Sequence, residues 1–377
     1  MISLSRMIRE IHEFCRGKEK IYIYGAGVYG NKCKKLLDYL NIPVEAFFIT
    51  KYARGGYCST SNVPVIEWNP SIVKPNAGII AALNKDYHYE INSYIKGFPH
   101  MFYMDTKSMI EITTKIGCSV HCRYCPQKKL ISTYARKSDK EYLAMEDFIK
   151  ILNHIPTVTL IRFCGMCEPF LNPQCADMIV YAKEKGFHVD CYSTLVGLDS
   201  HDVARVMDAV DGFIPHIPDK EMNAGIPVTD EYIKKLTSVL EYRRNGQRLV
   251  EYVSSHGEPD ERIKALIPDE VSISTWMQDR AGNLEGDNLH VLHVEMNSPI
   301  SCEFCDNRLE SNILLPNGDL LICCMDYGME YVFGNLLNEP YEKILNSEEA
   351  NRVRNDMIYG SQKTICHNCD FAIELFG

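Results

Sequence analysis

Apolar residues along this chain fall into short runs that alternate with amphipathic stretches. From residue 109 onward such runs recur at 109 to 116, 158 to 164, 188 to 194, 212 to 217, 248 to 254 and 271 to 276, the length and composition of strands. Patterns of helical period at 145 to 155, 175 to 185 and 230 to 243 lie between them. Strand and helix alternating in this way predict a parallel sheet whose strand ends carry the chemistry. Upstream, Ile21-Tyr22-Ile23-Tyr24 predicts a strand, residues 31 to 40 a helix, and 44 to 49 and 78 to 83 two further strands, with a helix after the second. The first fourteen residues, with two Arg and two Glu, read as an amphipathic helix. Near the end, Pro316-Asn317-Gly318-Asp319 is a strong turn between apolar runs, hence a hairpin with Cys323 at the end of its second strand. The expectation is an α/β chain in three parts, residues 1 to 105, 106 to 279 and 280 to 377.

Charge and composition narrow the function more than the fold. A net charge of −10 argues against a nucleic-acid or acidic-membrane partner. No apolar run approaches membrane length, and the amino-terminal stretch does not read as a signal peptide. Sixteen cysteines in such a chain suggest metal ligation in a reducing cytoplasm, because disulfide frameworks belong to small secreted chains. Cys15, Cys33, Cys58 and Cys175 read as small core or surface residues.

The most informative cysteines are Cys118, Cys122 and Cys125, spaced CxxxCxxC after the first strand of the alternating series. Three thiolates on one short loop suit an iron-sulfur cluster with one iron left open to a ligand that is not protein. A zinc site is the competing reading, with His121 as a fourth ligand. The spacing resembles the signature of the radical S-adenosylmethionine (radical SAM) superfamily. That resemblance implies a partial barrel of six strand-helix units, a 4Fe-4S cluster on the three cysteines, and SAM cleaved there to a 5′-deoxyadenosyl radical. It further implies that Glu168, in Gly165-Met166-Cys167-Glu168-Pro169, receives the SAM amino group, although Cys167 stands where a glycine often precedes the acid. Tyr124 is expected beside adenine, and Ser193 and Thr194 at the SAM ribose or carboxylate, with His216 and Asp219 at the end of the next strand. Strand alternation puts Cys191 on the face of Ser193, so a Ser193 that reaches SAM predicts a Cys191 pointing into the barrel, whereas an unpaired Cys in a strand reads first as a small buried core residue.

A second cysteine set, Cys302, Cys305, Cys323, Cys324, Cys366 and Cys369, surrounds the Gly318 hairpin. Two CxxC pairs also suit a zinc ribbon. The arrangement resembles the SPASM/twitch extensions of radical SAM enzymes. This implies an auxiliary four-iron four-sulfur cluster on Cys305, Cys323, Cys366 and Cys369, with Cys302 and Cys324 as substitutes one step away.

The amino-terminal strand runs into GxGxxG at Gly25, Gly27 and Gly30, a phosphate-binding pattern. The following strand ends at Thr50 and Lys51 with no acid to hold ribose hydroxyls, and Glu45 comes too early, so NAD is not expected. This segment resembles small Rossmann-like domains on enzymes of surface-polysaccharide pathways. A docking domain and a nucleotide-sugar site are both open.

Together the resemblances imply a cytoplasmic oxidoreductase that dehydrogenates a sugar-like or aminocyclitol-like substrate, with a flavodoxin or ferredoxin as electron donor. Peptide or protein modification, sugar epimerisation and a colourless zinc-stabilised interaction protein are the alternatives.

Overall fold

The computed structural model of the protein describes residues 2–50, 62–275, 280–284, 298–306 and 308–375. Lys51 and Cys58 lie outside the described residues, as does the end of the strand expected at 271 to 276. The chain divides into two compact units, Met1–Ser108 with Pro156–Val158, and Met109–Ile155 with Thr159–Gly377. Among the described residues no helix is long and apolar enough to cross a membrane.

The first unit contains α1 (Leu4–Cys15), β1 (Lys20–Tyr24), α2 (Val28–Tyr39), β2 (Val44–Ile49), β3 (Val65–Glu67), β4 (Ala77–Ala81), α3 (His88–Ile95) and β5 (His100–Phe102). Its strands form one parallel sheet in the order β3-β2-β1-β4-β5. Alternation along β1 sends Tyr22 and Tyr24 to one face, where they pack with Ala46, Phe48 and Ile79. Tyr22 stacks on Phe48 with ring centroids 4.8 Å apart. The strand order reverses between β1 and β4, the place where doubly wound sheets leave a crevice.

The second unit opens with β6 (Met109–Ile112) and continues through α4 (Gln127–Tyr134), α5 (Met145–Asn153), β7 (Leu160–Phe163), α6 (Cys175–Glu184), β8 (His188–Ser193), α7 (Val203–Ala209) and β9 (Gly212–Pro215). Then come α8 (Asp230–Glu241), a two-residue ribbon of β10 (Arg243–Arg244) and β11 (Gln247–Arg248), β12 (Tyr252–Ser254), α9 (Glu261–Lys264) and β13 (Ser272–Ser274). Strands β6, β7, β8 and β9 are parallel neighbours, β12 and β13 form a parallel pair, and a parallel bridge between His216 and Ser254 joins the two groups. Six parallel strands thus follow one another in sequence order as an open arc.

Two expected strands are shorter in the structure, each for a local reason. The run from 248 begins instead in the β10–β11 ribbon, because Asn245 (φ 51°) and Gly246 (φ 80°) make the tight turn that Asn-Gly favours. The run from 109 leaves the ladder after Ile112, and residues 114 and 116 bond across to the segment before α5: Leu143 donates to Thr114, and Ile116 to Glu141.

The C-terminal elements are β14 (Ile300–Cys302), β15 (Ser311–Leu314), β16 (Asp319–Leu321), β17 (Val332–Asn335), α10 (Tyr341–Leu345), α11 (Glu348–Tyr359) and β18 (Ala372–Glu374). The expected hairpin is β15–β16, turned at Gly318 (φ 89°). It continues the main sheet, since β15 pairs in parallel with β6 to give the order β17-β16-β15-β6-β7-β8-β9. β14 and β18 pair separately, antiparallel.

Candidate functional site

The cysteine loop lies between β6 and α4. Gly117 (φ 85°) and His121 (φ 49°) turn it, and the Cys125 amide donates to the Cys122 carbonyl at 3.2 Å just before the helix. Cys118, Cys122 and Cys125 edge a cavity of about 160 Å³ that Tyr124, Glu168, Ser193, Thr194 and His216 also line. The loop and the ends of β7, β8 and β9 thus meet at one hollow. His121 is exposed and is not among the lining residues. Burial pushes the Cys118 and Cys122 thiols up, Cys122 to about 12. Among the described residues no three His, Cys, Asp or Glu side chains converge as tightly as one ion requires. The three cysteines edge one hollow together.

The segment after β7 brings Glu168 to this cavity. Gly165 (φ 52°) passes so close to β6 that a Cβ there would stand 2.4 Å from the Thr113 hydroxyl oxygen and 2.6 Å from its backbone nitrogen. Only glycine fits that approach. Glu168 is buried, and its carboxylate accepts from the Ser193 hydroxyl at 2.8 Å and from the Thr194 amide and hydroxyl, each at 2.6 Å. Burial raises the Glu168 pKa, and these hydrogen bonds oppose the rise. Ser193 and Thr194 therefore orient the carboxylate in this structure. Cys167 edges the same cavity, 3.6 Å from the Thr114 hydroxyl. Asp219 is used differently. Buried, it accepts from the Asn223 and Ala224 amides at 2.8 and 2.9 Å and so closes a turn.

A larger cavity of about 430 Å³ adjoins the first, and Tyr124, Cys164, Tyr192, His216, His256 and Arg280 line both. Its barrel wall begins with a charged row in register across three strands, Glu111 beside Arg162 beside Asp190. Arg162 lies 3.7 Å from Glu111 and 3.4 Å from Asp190, with its guanidinium over the Tyr192 ring. Burial raises the Glu111 pKa against the pull of Arg162. The Tyr192 and Tyr252 hydroxyls meet at 3.0 Å.

The next row along the sheet is Ile112, Phe163 and Cys191, all fully buried. This agrees with the core reading of Cys191 and not with the lumenal one: it lines neither cavity, and Cys175 of α6 is among its neighbours. The cysteine that lines both cavities is Cys164. Cys33 and Cys175 are core residues as expected, and Cys15 is half-buried.

Several unpartnered polar atoms lie around this lumen. His216 Nε2, His256 Nδ1, the Tyr124 hydroxyl and Arg162 Nε are buried without a hydrogen-bond partner among the described residues. Burial, reinforced by Arg280, lowers His216 to about 4, and His256 is lowered further by burial and by His216. Both imidazoles are neutral at physiological pH. Their rings stack obliquely, His216 on His256 at 4.1 Å and His256 on Tyr124 at 3.6 Å.

All six C-terminal cysteines line the larger cavity. Cys302 and Cys305 share a hydrogen bond that lowers the first thiol and raises the second. Burial pushes Cys323 up, and Cys324, Cys366 and Cys369 add to the shift. Cys324 has a different neighbourhood: after burial, Glu111 and Arg280 act on it most. Both Cys323 and Cys324 pack against Cys369.

His256, Arg280, Tyr327, Glu111, Arg162 and Tyr252 join the site without having been expected there. Glu111 had a signal, a lone acid between Ile110 and Ile112 in an apolar strand. His256, Arg280 and Tyr327 sit in loops with no periodicity to mark them.

Residues 305–370 match the SPASM family model, an iron-sulfur cluster-binding domain. The match begins at Cys305 and contains Cys323, Cys324, Cys366 and Cys369, so this segment carries a SPASM domain. No curated protein matches the sequence. Among solved structures, BtrN in complex with AdoMet and 2-DOIA gives a TM-score of 0.44 at 15% identity, covering 71% of this chain and 94% of that one. Streptococcus suis SuiB bound to precursor peptide SuiA gives 0.42 at 12%, covering 83% and 79%. Native anSMEcpe with bound AdoMet gives 0.39 at 10%, covering 69% and 90%. Superpositions this loose transfer nothing to this chain.

Proposed function

We propose that this chain is a radical SAM enzyme that dehydrogenates a small polyhydroxylated substrate, sugar-like or aminocyclitol-like. Cys118, Cys122 and Cys125 would hold one four-iron four-sulfur cluster that binds SAM, and Cys305, Cys323, Cys366 and Cys369 would hold a second. When bound, the first would supply hydrogen-atom abstraction through SAM, and the second would supply an acceptor for one electron. The observation that carries the reading is a pair of adjoining cavities with Tyr124, Cys164, Tyr192, His216, His256 and Arg280 in common, one edged by the first cysteine set and the other by the second.

What remains for the protein is to bind, orient and remove one proton. Oxidation of an alcohol to a ketone loses a hydrogen atom, a proton and an electron in all. Glu111 is the proton acceptor in this reading: it lines the lumen, and its raised pKa suits a base. Arg162, with Nε unpartnered, and the Tyr192–Tyr252 hydroxyl pair supply hydrogen bonds to substrate oxygens. Glu168, held by Ser193 and Thr194, meets the SAM ammonium. The substrate would share the larger cavity with the second cluster, and its Glu111, Arg162 and Tyr192–Tyr252 wall suits a small polyhydroxylated molecule. A flavodoxin or ferredoxin is the fitting electron donor, and a reducing cytoplasm the fitting compartment for sixteen cysteines.

Cys164 favours one second reading, epimerisation, in which a lumenal thiol returns a hydrogen atom to the substrate radical. Product analysis in deuterium oxide over a panel of amino sugars and cyclitols separates the two. Dehydrogenation gives a product two hydrogens lighter, and Glu111→Gln lowers its formation by about 10²-fold or more while hydrogen abstraction continues. A product of unchanged composition carrying one solvent deuterium, lost in Cys164→Ala, establishes epimerisation instead.

A further inference from the structure

One short stretch of chain touches both cysteine sets. It starts at Cys323, two residues beyond β16, and reaches Tyr327 through a turn whose amides bond at short range: Asp326 donates to the Cys323 carbonyl at 3.2 Å, and Tyr327 to the Met325 carbonyl at 3.0 Å. The buried Asp326 carboxylate fixes the far side by accepting from the Glu330 and Tyr331 amides at 2.8 and 2.9 Å. Met329 (φ 52°) completes the turn. The Tyr327 ring is thereby packed among Leu130, Met166, Ile313 and Leu321, and its hydroxyl stands 3.5 Å from the Cys125 sulfur. A second donor reaches the same sulfur: Gln127 Nε2 lies 3.3 Å from it and also bonds the Met166 carbonyl.

Metal-bound Cys125 is a thiolate, which can only accept. A phenol with an ordinary pKa near about 10 stays protonated at neutral pH and donates. Hydrogen bonds to cluster sulfurs are one of the means by which a protein sets reduction potential. A donor stabilises the more negatively charged, reduced state more than the oxidised one, because charge-assisted hydrogen bonds strengthen with charge.

Resting on the function proposed above, we infer that Tyr327 and Gln127 donate hydrogen bonds to the Cys125 sulfur and raise the reduction potential of the cluster held by Cys118, Cys122 and Cys125. The SPASM segment thus helps set the redox poise of the barrel cluster through Tyr327, four residues from its own Cys323. Tyr327 is a positioning residue here and touches no substrate. Arg280 acts by its charge on both Cys125 and the Tyr327 phenol, and it is retained in the variants below.

The test is an anaerobic potentiometric titration of the full-length, cluster-loaded protein, following by electron paramagnetic resonance the signal that added SAM perturbs. Tyr327→Phe keeps the packed ring and removes only the O–H. We expect its midpoint potential to fall by up to a tenfold change in the reduction equilibrium, about 59 mV for one electron. Gln127→Met, which keeps length and loses the amide, shifts it the same way, so the result does not depend on one variant folding. Pulsed measurements in deuterium oxide should also show one exchangeable coupling lost in Tyr327→Phe. An unchanged or raised potential in both variants, with iron content intact, overturns this inference alone. Absence of any SAM-perturbed signal in the wild type overturns the proposed function and the inference with it.

Discussion

Two loops in this protein occupy the same kind of place, after a parallel strand and before a helix, and they are used differently. In the first unit, the loop from β1 to α2 carries Gly25, Gly27 and Gly30. A Cβ on Gly25 would stand 2.4 Å from the Ala82 carbonyl oxygen, and one on Gly30 only 1.9 Å from the Gly25 carbonyl oxygen. These two glycines let backbone segments touch, and only Gly27 faces open space. In the second unit, the loop from β6 to α4 turns its side chains toward a hollow, and residues from β7, β8 and β9 turn theirs to meet them. Packing accounts for Gly25 and Gly30 in the first loop, whereas the cysteines of the second line a hollow together with residues from three strand ends. Position at a strand end is therefore permissive, and convergence of polar and sulfur groups makes the difference.

The glycine side of this comparison breaks most readily. Gly30→Ala should destabilise the first unit by more than about 3 kcal/mol, since the clash is with backbone that cannot swing aside, whereas Gly27→Ala should change stability by less than about 0.5 kcal/mol. Urea unfolding of the two variants measures the contrast. Equal losses would mean that Gly27 also serves packing and that the first loop has no open position.

A smaller effect sharpens the other side. His216 has its folded pKa lowered to about 4 by burial, below the ordinary value of 6.5. The unfolded chain binds a proton in that window and the folded one does not, so the contribution is complete above 6.5 and is lost as pH falls toward 4. Between pH 6.5 and 5 this amounts to about 2 kcal/mol. The stability difference between wild type and His216→Asn should shrink by about that amount over the same interval. A pH-independent difference would mean that His216 titrates normally and does not sit in a dry lumen.

Much of this architecture is legible in the residues. Helical period and β-branched runs locate the strands of the arc and the sheet around β1, and Asn317-Gly318 marks the hairpin. The cysteine loop is legible because its spacing is local. Side-chain direction is not. Alternation counted back from Ser193, which lies at the strand end where Glu168 holds it, assigns Cys191 to the lumen; the register instead groups it with Ile112 and Phe163. Lumen-facing Glu111 and Arg162 become a pair only once β6 and β7 are known to be neighbours. Tyr327 and His256 reach the site through turns whose course depends on tertiary contacts, and nothing periodic announces them.

The central claim is that the cysteine loop of the second unit holds a cluster that cleaves SAM. Its most direct test is to reduce the anaerobically reconstituted protein with dithionite in the presence of SAM and measure 5′-deoxyadenosine and metal. The expected result is 5′-deoxyadenosine together with about eight irons per chain in two clusters, and complete loss of cleavage with about half the iron in Cys118→Ala/Cys122→Ala/Cys125→Ala. A colourless protein containing zinc, or cleavage that survives the triple substitution, would contradict it.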